Sequence, residues 1–125
     1  MSIETAVRTK VKAAVGAADV VLTSADPAMT VPFVVLTTQE DEELRTTGSS
    51  LQTRWLQLEV DCWAATPTLA RDLAELVKGS FRDFTGVVSG YQFMFSRFYN
   101  TFDSRDSEAA QFSRSFTLLI TYKEV

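Results

Sequence analysis

The sequence contains no histidine and a single cysteine, Cys62. An intramolecular disulfide is therefore excluded, and so is a zinc site built from several histidine or cysteine ligands. The absence of histidine also excludes catalysis by a histidine base, as in Ser-His-Asp and Cys-His arrangements. Only five glycines and three prolines occur in 125 residues, which excludes collagen-like and low-complexity classes. We therefore expect no cofactor, no metal and no enzymatic activity.

Long apolar runs and blocks of basic residues are also missing. No window approaches the roughly 20 apolar residues of a membrane-spanning helix, and the mixed charges of the first ten residues are unlike a secretory signal. We expect an intracellular, soluble protein with no membrane partner. Twelve basic and sixteen acidic residues give a net charge of −4. Because nucleic-acid modules hold phosphates with a basic stripe, specific nucleic-acid binding is not expected.

Two helices are predicted from apolar spacing and from capping residues. Ser2 is a candidate N-cap for a short amphipathic helix that closes near Gly16. Thr66 followed by Pro67 is a favoured pair at a helix start. Apolar residues at three- and four-residue steps then carry the second helix to a point just before Gly86.

Five segments have the composition of strands. In residues 53–63 apolar side chains alternate strictly with polar ones and tryptophans, so Trp55 and Leu56 should point to opposite faces. The predicted strands are 19–23, 33–37, 53–63, 91–100 and 111–123. The element order is α-β-β-β-α-β-β. It predicts a single α+β domain over residues 1–125, with a mainly antiparallel sheet of about five strands and two helices packed on one face.

Two polar segments are predicted to be loops. Residues 38–52 have almost no apolar content, and we interpret them as a mobile acidic loop that binds a partner. The alternative is a solvated hairpin tip without a partner. A second polar loop is predicted over residues 101–110. The candidate partner-binding residues of the first segment are Glu40, Asp41, Glu42, Glu43 and Arg45.

Large apolar side chains are abundant, with nine phenylalanines in the chain. The strand at 91–100 is predicted to place Tyr91, Phe93, Phe95 and Tyr99 on one face and Phe98 on the other. One layer of two helices cannot cover both faces, and uncovered apolar groups mark an interface between subunits. Further candidate partner-binding residues are therefore Trp55, Phe95, Phe98 and Tyr99.

Carboxylates are the only other candidates for chemistry. Glu59 and Asp61 share a strand face about 7 Å apart, a spacing open to a metal or to glycoside cleavage. No supporting histidine or glycine-rich loop accompanies them, and an exposed strand face or a subunit contact explains them as well. Cys62 alternates with apolar residues and is interpreted as a core side chain.

Several segments resemble the tail completion, or tail terminator, proteins of long-tailed bacteriophages. Shared features are a Pro-aromatic strand at residues 32–36, an acidic loop, a strand of alternating apolar residues ending in Trp-Ala, and a helix ending in Phe-x-Gly. The resemblance spans residues 3–122. Its motif positions are Arg54, Leu58, Val60, Trp63, Ala64, Ala70, Leu73, Val77, Phe84 and Gly86.

The resemblance implies a structural virion protein assembled in the host cytoplasm and located at the tail end nearest the head. It implies a ring, expected to have six subunits, that caps the tail tube and joins it to the head connector. The implied partners are further copies of the chain, the tail-tube protein and the connector protein, while DNA passes through the ring without specific binding. The alternative class is a small monomeric module that binds a protein or a peptide through its aromatic strand.

Overall fold

Two helices and six strands are formed by the residues that the computed structural model describes, 2–22, 30–44, 53–107 and 110–125. Neither described helix is both long and apolar enough to span a membrane. The elements in chain order are α1 (Ile3–Val15), β1 (Asp19–Leu22), β2 (Phe33–Leu44), β3 (Thr53–Ala64), α2 (Pro67–Phe81), β4 (Gly86–Val88), β5 (Tyr91–Asp106) and β6 (Gln111–Glu124).

Both helices begin at the caps that the sequence supplies. The Ser2 hydroxyl accepts a hydrogen bond from the backbone N–H of Thr5 at 3.2 Å, and Thr66 does the same for Leu69 at the start of α2. Helix α2 ends at Phe81, earlier than predicted. The chain turns there through Asp83, whose φ of 57° is incompatible with a continuing right-handed helix.

The strands form one sheet in the order β1-β2-β3-β6-β5-β4. The predicted α+β class and the two helices are confirmed, but the sheet has six described strands and is mixed, because β1 pairs parallel with β2. The additional strand β4 pairs with the start of β5 through a tight turn. Ser89 and Gly90 adopt φ values of 50° and 86° there, as a two-residue hairpin requires.

The core lies between the helices and one face of the sheet. Helix α2 packs on the central strands β3 and β6, and α1 packs on α2 and contacts both edge strands, β1 and β4. Because these edges lie at opposite ends of the strand order, the sheet curls around the helix layer. The alternation predicted for β3 is confirmed. Its buried side chains are Leu56, Leu58, Val60, Cys62 and Ala64.

Strand β2 continues through Leu44, so the first part of the loop expected at 38–52 is a strand, and residues 45–52 lie outside the described residues. The strand is extended by pairing with β3, and a bulge at Gln39 interrupts its alternation. The bulge directs Asp41 to the helix side, where it accepts a hydrogen bond from the Tyr122 hydroxyl at 2.8 Å and forms an ion pair with Arg54 at 3.3 Å. These contacts hold an acidic segment in a regular strand.

Strand β5 also extends beyond its predicted end and includes residues expected to form the loop at 101–110. It runs to Asp106, paired with β6. Arg114 of β6 donates two hydrogen bonds to Asp103 of β5, at 2.8 and 3.0 Å. A two-stranded extension with exposed side chains tolerates polar residues, because pairing satisfies the backbone groups and water solvates the side chains.

A second bulge changes the predicted faces of β5. Phe93 pairs with Tyr122, whereas Phe95 pairs with the adjacent residue Thr121, so Met94 is the extra residue. The prediction that Phe93 and Phe95 share a face is therefore wrong. Phe93 is fully buried, and Phe95 is 55% exposed on the opposite face.

This difference gives a matched pair of variants. Phe93 stacks on Phe81 with ring centroids 6.2 Å apart and meets Phe84 edge-on. We expect Phe93→Ala to lower the free energy of unfolding by about 3–5 kcal/mol, because it leaves a cavity in the core. Phe95→Ala should lower it by less than about 1 kcal/mol. Urea unfolding of both variants tests the assignment, and equal losses would contradict it.

Candidate functional site

One face of the sheet carries no helix, and we call it the open face. Among the described residues, no helix packs against this side, although it contains large apolar groups. On the central strand β3, the open face consists of the side chains that alternate with the core residues. These are Trp55, Gln57, Glu59, Asp61 and Trp63, all of them half-buried.

The middle of the open face is a shallow trough along β6. Three short side chains of this strand, Ser113, Ser115 and Thr117, are 3%, 2% and 7% exposed although no helix covers them. Larger side chains on the neighbouring strands β3 and β5 flank them and reduce their exposure to solvent. Cross-strand pairing places Asp61 on one side of Ser115 and Phe102 on the other. A partner that covers this face would therefore meet short polar groups between carboxylates on β3 and aromatic rings on β5.

Two carboxylates lie beside the trough. Burial raises the pKa of the Asp61 carboxyl, and a hydrogen bond donated by the Ser115 hydroxyl partly offsets that rise. The pKa of Glu59 is also raised, first by burial and then by the nearby negative charge of Asp61. Ionisation of these two carboxyl groups therefore lowers the free energy of unfolding of the isolated subunit.

Aromatic side chains occupy both ends of the open face. Phe33 and Trp63 stack at one end with ring centroids 6.3 Å apart. At the other end, Phe95 of β5 shares a cross-strand row with Thr121 and Trp55. Phe102, further along β5, is 48% exposed. Exposed aromatic groups in contiguous rows are typical of protein–protein interfaces.

Helix α2 carries a separate apolar surface on the other side of the molecule. Leu69 and Leu76 are each 52% exposed and line a groove of about 250 Å³ together with Val31 and Pro32. Among the described residues that line the groove, Asp72 of α2 is the one polar side chain. The molecule thus has two different apolar surfaces, one on the sheet and one on the helix layer.

The predicted acidic residues do not form one common surface. Glu40 is exposed on the open face, whereas Asp41 points to the helix side and is engaged by Tyr122 and Arg54. The register pairs Glu42 with Trp55 and Glu43 with Arg54. Arg45 lies outside the described residues. Asp41 is therefore engaged within its own chain, and a partner-binding role for the acidic segment stays a prediction.

The four predicted aromatic residues divide between the two faces. Trp55, Phe95 and Tyr99 lie on the open face, where Arg97 approaches the Tyr99 ring at 6.0 Å. Phe98 lies on the helix side and packs edge-on against Phe116, with ring centroids 5.7 Å apart. The structure therefore brings three of these four residues together.

Sequence reasoning did not select Phe102, Leu69 or Leu76 as surface groups. Phe102 lies in a segment whose polar neighbours predict a loop, and no local signal places it on the open face. For Leu69 and Leu76 a signal exists, because a helix packed on one side exposes apolar residues that lie outside a narrow stripe. The three- and four-residue spacing of apolar residues predicts that both leucines belong to the buried stripe of α2, and that prediction is wrong.

Among the described side chains, neither the cysteine nor the carboxylates form an arrangement suited to catalysis. Cys62 is buried, and burial raises the pKa of its thiol to about 12, which disfavours the reactive thiolate. Within the described ranges, no three Asp, Glu or Cys side chains are grouped so as to hold a metal ion. The open face is therefore a candidate contact surface.

Comparisons with known proteins identify a family and a similar fold. Residues 5–123 match a family model described as tail completion protein gp17. A solved structure of the virion of a native gene transfer agent particle contains a chain similar to this one, with a TM-score of 0.62 and 14% sequence identity. The alignment covers 97% of this chain and 94% of that chain, and at this identity it supports the fold. The curated proteins include no match.

The carboxylates of the open face generate a pH prediction. A carboxyl whose pKa is raised on folding binds its proton more readily in the folded state, so its ionisation lowers stability as pH rises through that pKa. We expect Asp61→Asn, which can still accept from Ser115, to increase the free energy of unfolding at pH 7. The difference should shrink as pH falls and vanish only below about 4, the ordinary pKa of an unfolded aspartate, where both states are protonated.

Urea unfolding at several pH values measures this effect. The control is Asp72→Asn on the exposed side of α2, which should change the free energy of unfolding by less than about 0.5 kcal/mol. An Asp61→Asn variant that is less stable than the wild type at pH 7 would contradict the prediction.

Proposed function

Because this chain belongs to the family of tail completion protein gp17 and is a structural protein of the phage tail, we propose that copies of it form a ring that caps the tail tube. The ring, expected to have six subunits, lies at the tail end nearest the head and joins the tube to the head connector. Its partners are other copies of the chain, the tail-tube protein and the connector protein. Assembly takes place in the host cytoplasm.

The observation that supports this proposal best is the open face. A monomer that functions alone has little reason to keep Phe95 and Phe102 exposed, and Trp55 half-buried, on a face where no described helix packs, because exposed apolar groups promote unspecific association. In a ring, one surface of each subunit meets a different surface of the next. Apart from that contact, the open face and the groove at Leu69 and Leu76 are two surfaces for the other partners, the tail-tube protein and the connector protein. The similar chain in a gene transfer agent virion is further support for a role inside a particle.

Charge is also compatible with a ring through which DNA passes. The chain has a net charge of −4, and the open face carries Glu40, Glu59 and Asp61. Carboxylates repel phosphates, so a channel with such residues would let DNA move through without retaining it. The rise in the pKa of Glu59 and Asp61 reflects burial and mutual repulsion, and neither requires a catalytic role.

The proposal predicts a specific assembly defect. Particles produced without this chain should contain heads separated from tails, and tails of irregular length, because nothing stops the tube or joins it. Supplying the wild-type chain should restore joined particles. Negative-stain electron microscopy of both preparations measures attached tails and tail lengths. Normal particles in the absence of the chain would refute the proposal and favour the alternative of a small monomeric binding module.

Trp55 provides a test at a single residue. Its ring lies half-buried on the open face, away from the core side chains Leu56 and Leu58. We expect Trp55→Ala to weaken association of subunits in particles more than it weakens folding, whereas Trp55→Phe should retain most of the association. Urea unfolding and the fraction of joined particles are measured together. A large loss of subunit stability with fully joined particles would contradict this assignment.

A further inference from the structure

The edges of the sheet differ in how well they are protected against pairing with a further strand. At the β1 edge, Arg8 of helix α1 donates a hydrogen bond to the carbonyl of Val20 at 2.8 Å. Lys12 donates to the carbonyl of Ala18, which immediately precedes β1, also at 2.8 Å. Side chains that occupy edge carbonyls block the addition of a further strand. The short strand β1 is therefore closed to pairing with another chain.

Most of β5 has no such protection. Strand β4 pairs only with Tyr91–Phe93, so from Met94 onward β5 is hydrogen-bonded to β6 on one side, and no described strand lies along its other side. This edge is long, and the side chains of Thr101–Asp106 are exposed. A long edge without a covering strand is a template for pairing with another chain.

The outer half of β2 is a second edge of this kind. Strand β1 pairs with Phe33–Leu36 only. From Thr38 to Leu44, β2 is hydrogen-bonded to β3, and no described strand runs along the opposite side. The contacts of Asp41 with Tyr122 and Arg54 hold this half of the strand extended, which prepares it for pairing.

Strand direction determines how these two edges can meet. Strands β2 and β3, β3 and β6, and β6 and β5 are each antiparallel, so β5 runs opposite to β2. In a rotationally symmetric ring every copy keeps the same direction along the axis. The β5 edge of one copy and the β2 edge of the next would therefore be antiparallel, with their open faces on the same side. This is a contact between two different surfaces, which a closed ring requires.

Around Arg97, the charge of the β5 edge is complementary to that of the outer half of β2. The outer half of β2 contains four consecutive acidic residues, 40–43, whereas β5 presents the exposed cation Arg97 on the open face. Glu40 and Arg97 belong to the same cross-strand row, through Gln57 and Leu119. If the rows continue from one copy to the next, Arg97 falls in the row of Glu40 of its neighbour, and Glu42 follows two residues along the same strand.

We propose that the β5 edge of one copy pairs antiparallel with the outer half of β2 of the next copy, and that this pairing is the contact between subunits. The inference rests on the proposed ring and names the surfaces that close it. Backbone hydrogen bonds supply the adhesion, as in strand addition to an exposed sheet edge. The opposite charges favour this neighbour and this orientation.

Charge reversal tests the pairing, using particles made without the chain and supplied with variants. Variant A is Arg97→Glu, and variant B combines Glu40→Lys with Glu42→Lys. Each alone should reduce the number of joined particles at least about tenfold, because like charges then face each other at every contact. Both changes in one chain should restore assembly. Variants A and B supplied together should also restore it, because the changed edge of each variant then meets an oppositely charged edge of the other. Arg71→Glu on helix α2 is the control for the change in charge.

Cysteine crosslinking is an independent measurement. The chain with Glu40→Cys and Arg97→Cys, treated with a short bismaleimide in assembled particles, should give a ladder of crosslinked multimers. Chains with one of the two cysteines should give none, because Cys62 is buried and its thiol pKa is raised. Three results would each overturn the pairing. They are unchanged assembly with variants A and B, a doubly changed chain as defective as either variant alone, and no ladder in joined particles. Normal particles without any chain overturn the proposed function itself.

Discussion

The pairing of β3 with β6 is the interaction on which the rest of the molecule depends. Their register sets Leu58 against Leu118 on the helix side and Glu59 against Thr117 on the open side. Because side chains alternate along each strand, a shift of one residue would expose the core and bury the carboxylates. The large groups under the helices and the short hydroxyl residues opposite them therefore fix one register. Both helices then lie over the face that carries the buried apolar residues of β3 and β6.

Bulges decide which side chains reach the outer surface. The extra residues Gln39 and Met94 reverse the alternation in β2 and β5. As a result, Asp41 turns inward to Tyr122, and Phe95 turns away from the core. Bulges are frequent where a strand must redirect a side chain. Here they lie on the two strands that retain an uncovered edge, so the same local feature shapes both the face and the edges.

The sequence allowed the central elements to be predicted but left the outer ones open. Strict alternation around Leu58 and the Thr66–Pro67 helix start are local signals, and both elements form as predicted. The extended ends of β2 and β5 depend on contacts between distant residues, such as Arg114 with Asp103, that no local pattern reveals. For the candidate site, the alternation placed Trp55 correctly, whereas the face of Phe95 depends on the bulge at Met94. Bulges have no firm signature in a single sequence.

A subunit of this kind must fold alone without associating at the wrong edge. Arg8 and Lys12 close the β1 edge by hydrogen bonds that form within one chain, so they act before any partner arrives. The outer half of β2 carries consecutive acidic residues, which repel a second copy of the same edge and disfavour pairing of β2 with β2. An edge with a cation, such as β5 with Arg97, does not meet that repulsion. Charge can therefore disfavour one incorrect self-pairing while permitting the pairing between different edges that we propose for the ring.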